Sequence, residues 1–193
     1  LKTVAVYCGS SDKIAQKYLD AAYQLGQLLA ERGHRVVYGA GGTGMMGAVA
    51  RGAMKAGGEV IGVMPEIFDT PELRLTEITE YIIKPDMHSR LAYIIEISDA
   101  FIALPGGFGT MDEFFQTVTW AQIGLHSKPV GLLNIDGYYN TLHKFLQQVE
   151  AEGFIYAGHT DLYLCESDPE TLLSAMENYH PPADLAQWVE RAE

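Results

Sequence analysis

Short apolar runs alternate along this chain with longer stretches in which apolar residues recur every three or four positions. The short runs are Thr3 to Cys8, Arg35 to Tyr38, Glu59 to Met64, Ala100 to Leu104 and Pro129 to Leu133, with extended pieces at Tyr81 to Lys84 and Leu162 to Cys165. Bounded by glycine, proline and polar residues, they read as strands. Helical spacing predicts helices over Asp20 to Arg32 with its Leu25, Leu28 and Leu29 stripe, then over Met45 to Ala56 and Met87 to Ser98. Three more follow: Phe114 to about Gly124, Tyr138 to Glu152, and Pro169 to Asn178. The last has Asp168 as N-cap and proline at its first helical position. Strand and helix in alternation form βαβ units, so the expected fold class is α/β with a doubly wound parallel sheet. No repeat interrupts the pattern, and residues 1–193 read as a single domain whose last stretch, about 181–193, is a C-terminal tail. Between Pro65 and Thr79 periodicity weakens into a charge-rich segment with two prolines, which reads as a loop able to fold over a site at the sheet's C-terminal edge.

A doubly wound sheet binds ligands beyond the carboxyl ends of its strands. Three turns fall there: Cys8-Gly9-Ser10-Ser11, Gly39 to Gly47, and Pro105 to Thr110. Glycines let backbone approach a ligand and helix N–H groups attract anions, so the ligand expected is a nucleotide or sugar phosphate. Gly9, Ser10, Gly41, Gly42, Thr43 and Gly44 are candidate contacts in the first two turns. The second turn also satisfies G-x-G-x-x-G, with Glu66 at about the spacing of a ribose-binding acid, which alone would indicate an NAD-dependent oxidoreductase. Against it, the turn follows the second strand rather than the first, and the chain is short for a dinucleotide domain plus a substrate domain.

The third turn ends on a carboxylate. In Pro105-Gly-Gly-Phe-Gly-Thr-Met-Asp-Glu113, Thr110 and Glu113 have the spacing of a capping box, in which Glu113 merely finishes the helix. The other reading gives Glu113 chemistry on whatever the phosphate carries. Arg90 favours the second, because a cation in the first turn of a helix works against the dipole and needs another reason.

Composition narrows the partners. Hydrophobic residues make up 48% of the 193, enough for a core. A net charge of −12 argues against nucleic acid and against an anionic membrane. No apolar run reaches the ~20 residues of a membrane span, and no secretory signal opens the sequence, so a cytoplasmic location is expected. Cys8 and Cys165, each in an apolar run, suit buried thiols in a reducing compartment. The histidines show no metal-ligand spacing, so no catalytic metal is expected. Trp120, Ile123 and Leu125 extend an apolar helix face that is assigned to the core in preference to a dimer seam.

Asp86-Met87-His88-Ser89-Arg90 followed by Pro105-Gly106-Gly107-Phe108-Gly109-Thr110-Met111-Asp112-Glu113 resembles the paired signature of the Lonely guy family, the cytokinin riboside 5'-monophosphate phosphoribohydrolases, many of whose relatives carry the label lysine decarboxylase. The likeness runs through nearly the whole chain, including Thr119-Trp120-Ala121-Gln122 and Asn134-Ile135-Asp136-Gly137-Tyr138-Tyr139. It implies a Rossmann-like, mainly parallel sheet with helices on both faces, usually in a homodimer. It implies hydrolysis of the N-glycosidic bond of an adenine-type nucleoside 5'-monophosphate to free base and ribose 5-phosphate, with no cofactor. The implied catalytic pair falls on Arg90 and Glu113. The implied substrate contacts fall on Glu72, Arg90, Gly106, Gly107, Phe108, Gly109, Thr110, Met111, Asp112, Glu113 and Thr119. Two positions depart from the pattern: Leu91 stands where members often have lysine, and Ala40 replaces a glycine, the milder change. The lysine decarboxylase label finds no support, since no lysine has a recognisable pyridoxal phosphate setting. A non-catalytic nucleotide carrier on the same fold is the competing reading, with Glu113 only a cap.

Overall fold

A computed structural model of the chain describes residues 1–183. Seven strands carry the sheet: β1 (Thr3–Tyr7), β2 (Arg35–Tyr38), β3 (Val60–Pro65), β4 (Glu80–Lys84), β5 (Ala100–Ala103), β6 (Val130–Leu133) and β7 (Leu164–Glu166). Between and after them lie α1 (Gln16–Glu31), α2 (Gly44–Lys55), α3 (Met87–Ile97), α4 (Phe108–Gln122), α5 (Asn140–Ala151) and α6 (Pro169–Glu177). Every pairing is parallel, in the order β4-β3-β2-β1-β5-β6-β7. From β1 the chain winds outward through β2, β3 and β4, then crosses back to lay β5 on the other side of β1. The switch point of the sheet is therefore the crevice between β1 and β5.

Alternation along β1 shows why its run is apolar throughout. Val4 and Val6 join α1, α2 and α6 in one core layer, while Ala5 and Tyr7 join α3, α4 and the ring of Tyr139 in the other. Both faces of the central strands are covered, so no position is left for a polar residue.

Element boundaries differ from the sequence reading where tertiary packing overrides periodicity. α1 begins a turn before Asp20, because Tyr18 and Leu19 also pack on the first layer. α4 begins at Phe108, not Phe114, so the second half of the glycine turn is already helix. β7 starts at Leu164, since His159–Leu162 wind into a 3-10 turn. Cys8 lies just past β1 and is buried, Cys165 is only half-buried, and both thiols are free. Trp120 packs on the second layer, but Ile123 and Leu125 are exposed, which places that apolar extension on the surface instead of in the core. Of the expected tail, positions 184–193 lie outside the described residues.

The segment between β3 and β4 does approach the sheet's C-terminal edge. After a 3-10 turn at Glu66–Phe68 it forms an isolated antiparallel bridge, Arg74 to Gly41. Gly42 N–H donates to the Leu73 carbonyl at 2.8 Å. Asp69 anchors the segment from within, taking Arg74 at 2.8 Å and the Tyr81 hydroxyl at 2.8 Å.

Candidate active site

The turns after β1 and β5 meet at the switch point. Gly9 N–H donates to the Pro105 carbonyl at 3.1 Å, and a Cβ on Gly9 would lie 3.5 Å from the Gly106 Cα. Above them opens a cleft of about 450 Å³. Its lining includes Gly9, Ser10, Gly41 and Thr43 from the first two turns, Gly107 ahead of α4, Phe108, Gly109, Thr110 and Glu113 from α4, and Arg90 from α3. Gly42, Gly44, Gly106, Met111 and Asp112 do not line it, nor do Glu72 and Thr119. Gly106 supports the site from below, where any side chain on it would strike the Thr110 hydroxyl. Glu72 is exposed on the segment between β3 and β4, next to Leu73, which does line the cleft. Thr119 faces a separate hollow of about 290 Å³ on the far side of α4, with Phe115, Phe145 and Val149. Six residues of helix turn it well away from Glu113.

Two sets of lining residues were missed as site residues by sequence reasoning. Met46, Met64, Phe68, Leu73 and Met87 form an apolar wall that single-sequence patterning cannot separate from core. Cys8 and Gly39 line the floor. The position of Gly39 directly after β2 was visible, but its purpose was not. A Cβ there would collide with the Arg90 guanidinium, so Gly39 is the space that the cation occupies.

Arg90 is held on two sides. Its Nε donates to the Val63 carbonyl at 2.9 Å, and its Nη1 donates to Glu113 Oε1 at 2.8 Å. Both side chains are nearly buried, at 8% and 10% exposure. A buried pair of this kind needs good geometry to offset desolvation, and removing either partner strands the other. The capping box that the Thr110–Glu113 spacing allows, the reading set against a chemical role, does not form. Gly107 is the N-cap, Thr110 is in the first turn, and Glu113 lies a turn later with its carboxylate turned to Arg90. The capping box of the region belongs instead to α3, where Asp86 takes the Ser89 N–H and the Ser89 hydroxyl faces the Asp86 N–H. His88 is exposed beside it.

Burial pushes the Glu113 carboxyl above the usual carboxylate range, and the Arg90 charge opposes that rise. The Cys8 thiol at the cleft floor is pushed up by burial and further by Glu113, which disfavours its thiolate form. Glu113 itself is held from behind: its carbonyl accepts from the Thr117 hydroxyl at 2.7 Å, and that hydroxyl pairs with the Tyr7 phenol at 3.1 Å.

The two helix ends at the cleft differ. α4 has no side-chain cap, so its first-turn N–H groups face a ligand position between Gly107 and Thr110. α2 is closed: Gly44 N–H donates to Asp12 at 2.7 Å and Met45 N–H donates to the Gly9 carbonyl at 3.0 Å. The G-x-G-x-x-G turn thus has intramolecular uses for its glycines and offers no pyrophosphate cradle, contrary to the dinucleotide reading. Ala40 within it adopts φ 61, a left-handed conformation that costs a side chain roughly 1–2 kcal/mol. Its replacement of glycine is therefore less mild than the sequence suggests. Leu91 is buried at 3% in the second core layer, away from the cleft.

Residues 46–176 match the family model described as possible lysine decarboxylase. A probable cytokinin riboside 5'-monophosphate phosphoribohydrolase of Oryza sativa subsp. japonica is 44% identical over 183 residues, covering 95% of this chain and 87% of that protein. A cytokinin riboside 5'-monophosphate phosphoribohydrolase of Arabidopsis thaliana is 42% identical, covering 95% of this chain and 80% of the relative. Among solved structures, a molybdenum cofactor binding protein from Rippkaea orientalis superposes with a TM-score of 0.71 at 25% identity, over 92% of this chain and 96% of that one. The molybdenum cofactor carrier protein of Chlamydomonas reinhardtii does so at 0.69 and 22%, over 92% and 96%, a likeness of fold. Over nearly its whole length, and with the Arg90–Glu113 pair set at the switch point, the chain belongs to the Lonely guy family of cytokinin riboside 5'-monophosphate phosphoribohydrolases.

Proposed function

We infer that the protein hydrolyses the N-glycosidic bond of adenine-type nucleoside 5'-monophosphates, releasing the free base and ribose 5-phosphate. The relatives' activity supports the reaction, and the observation that carries it to these residues is the buried contact of Arg90 with Glu113 beside an uncapped helix end. The 5'-phosphate takes the first-turn N–H groups of α4 and the Thr110 hydroxyl, which delivers the ribose to Glu113 one turn along. The apolar wall of Met46, Met64, Phe68, Leu73 and Met87 suits a purine and an apolar substituent on its N6.

In the reaction the bond from the ribose anomeric carbon to the base nitrogen breaks, and its electron pair leaves with the base. Water forms the new C–O bond, giving up a proton, while the departing base gains one. Glu113 stabilises the positive charge that develops on the ribose ring and takes the proton of the attacking water. Arg90 does not transfer a proton, since guanidinium stays charged. With one N–H on Val63 and another on Glu113, it fixes the carboxylate in place and limits the rise in its proton affinity. A decarboxylase working through a lysine imine finds no support: among the described residues no lysine lines the cleft, and Lys128 donates to the Ile95 carbonyl at 2.6 Å.

The reading extends to a cytoplasmic homodimer. Free cysteines suit a reducing compartment, and among the described residues no helix is long and apolar enough to cross a membrane. Exposed Phe115, Ile123, Leu125 and Phe145 on α4, α5 and the turn after α4 suit contact with a second copy.

Incubation with adenosine 5'-monophosphate and with its N6-prenylated counterpart, followed by chromatography for free base, tests the reaction. Glu113→Gln should cut release by about 10²–10⁴-fold while nucleotide binding stays measurable. Full activity in that variant sinks the carboxylate role. Wild-type protein that binds both nucleotides and cleaves neither is a carrier instead.

A further inference from the structure

We propose that Tyr138 is a positioning residue for the phosphate site: by holding the Gly106 carbonyl, it turns the Gly107 N–H into the cleft. This rests on the reading of the cleft given above. Three successive carbonyls after β5 are each held by a donor. The Tyr139 hydroxyl donates to the Leu104 carbonyl at 2.5 Å, Gly9 N–H to the Pro105 carbonyl at 3.1 Å, and the Tyr138 hydroxyl to the Gly106 carbonyl at 2.8 Å. Neither tyrosine lines the cleft, whereas Gly107 does.

In a planar trans peptide the N–H points away from the C=O of the same unit. A Gly106 carbonyl drawn to Tyr138 therefore sends the Gly107 N–H away from Tyr138. Among the described residues nothing accepts from that N–H, and α4 has no side-chain cap, so the amide is left for a ligand. The peptide in question joins two glycines. Its rotation meets no Cβ on either side, so it is the link of the turn least able to keep an orientation by itself. A phosphate site made of backbone amides binds best when they are fixed before the ligand arrives.

The segment that carries the two tyrosines is built to make this reach. It passes through a 3-10 turn at Ile135–Gly137, with Asp136 at φ 49 and Gly137 at φ 74. A left-handed aspartate is costly and persists only where its surroundings hold it. Here Lys17 Nζ donates to Asp136 at 2.7 Å, and Tyr139 N–H donates to the Asn134 side chain at 2.7 Å. The Tyr138 ring then packs edge-to-face on Tyr18 of α1 and on Tyr139, with centroids 6.0 and 5.0 Å away. The rings place the hydroxyl, and the hydroxyl places the peptide.

The two hydroxyls form a matched pair for the test. Leu104 shares its peptide with Pro105, which has no N–H to aim. Tyr139→Phe thus removes a bond of the same kind without misdirecting an amide, while Tyr138→Phe keeps its packed ring and releases the Gly107 peptide. With adenosine 5'-monophosphate, Tyr138→Phe should raise KM about fivefold and leave kcat within about twofold. Fewer molecules then hold the amide ready, but a bound phosphate restores it. Tyr139 is 1% exposed and Tyr138 46%, so Tyr139→Phe should lower the melting temperature more while its KM stays within about twofold of wild type. Calorimetry with ribose 5-phosphate should show the same fivefold loss of affinity in Tyr138→Phe alone. An unchanged KM in Tyr138→Phe, a fall in kcat instead, or an equal rise of KM in Tyr139→Phe makes Tyr138 a packing residue and overturns the proposal. If the wild type releases no base from any nucleotide, the reaction is refuted, and the ribose 5-phosphate affinities decide Tyr138 by the same ratio. A wild type that does not bind ribose 5-phosphate removes the phosphate site and this role with it.

Discussion

Glu113 carries the pH dependence expected of the enzyme. Burial raises its carboxyl, the Arg90 charge pulls it back, and Asp112 adds a smaller push upward. The group acts ionised, so activity is lost as pH falls through the raised value. The acid limb of kcat/KM should therefore lie above the ~4.3 of an exposed glutamate. Arg90→Gln, which removes the opposing charge, should move that limb higher still while lowering the plateau. A limb at or below the ordinary carboxylate value would overturn the assignment. The same shift bears on stability with the opposite sign to a surface ion pair. Glu113 binds its proton more tightly folded than unfolded, so its stabilisation is complete below the unfolded value and fades as pH rises through the folded one. The choice between cap and chemistry for this residue was not legible in Thr110-x-x-Glu113, because both uses share one spacing. It depends on where α4 begins, and the glycines at 106, 107 and 109 hide that start from any propensity argument.

At the scale of elements, the alternation of runs was enough to give a parallel, doubly wound sheet and the three turns at its edge, since strands buried on both faces leave a continuous apolar imprint. The strap between β3 and β4 was legible only as a break in pattern. Its course is set by long-range bonds to the Gly39–Gly42 turn and by one side chain, Asp69, that takes both Arg74 and Tyr81. Because Phe68 and Leu73 line the cleft, the strap is part of the wall. Asp69→Ala frees Arg74 and the Tyr81 hydroxyl and leaves Arg90 and Glu113 as they are. It should raise KM by roughly three- to tenfold with kcat within about twofold, the pattern of lost binding without lost transition-state contact. Steady-state kinetics decide it: an equal fall in kcat would mean that the strap also aligns the reacting groups.

For the molecule as a whole, the surface behind α4 matters most. Phe115 and Phe145 share the hollow on that side, and Ile123, Leu125, Phe154 and Tyr156 stand exposed on the turns that follow α4 and α5. Exposed apolar side chains of this size on an otherwise acidic protein of net charge −12 lead to a prediction about assembly. A second copy fits, since a two-fold contact sets the same apolar face against itself and keeps the repelling charges at the rim. Thr119 belongs to this face and not to the cleft, so the contact bears on whether the threonine ever meets substrate. Light scattering after gel filtration should give twice the 21.2 kDa of one chain. Phe145→Glu combined with Leu125→Glu should shift the mass toward a single chain at micromolar concentration, because both side chains are already exposed and their replacement spares the core. A wild type that runs as a single chain, or a charged variant that remains double, would move the apolar face to another partner and leave Thr119 without a part in the reaction.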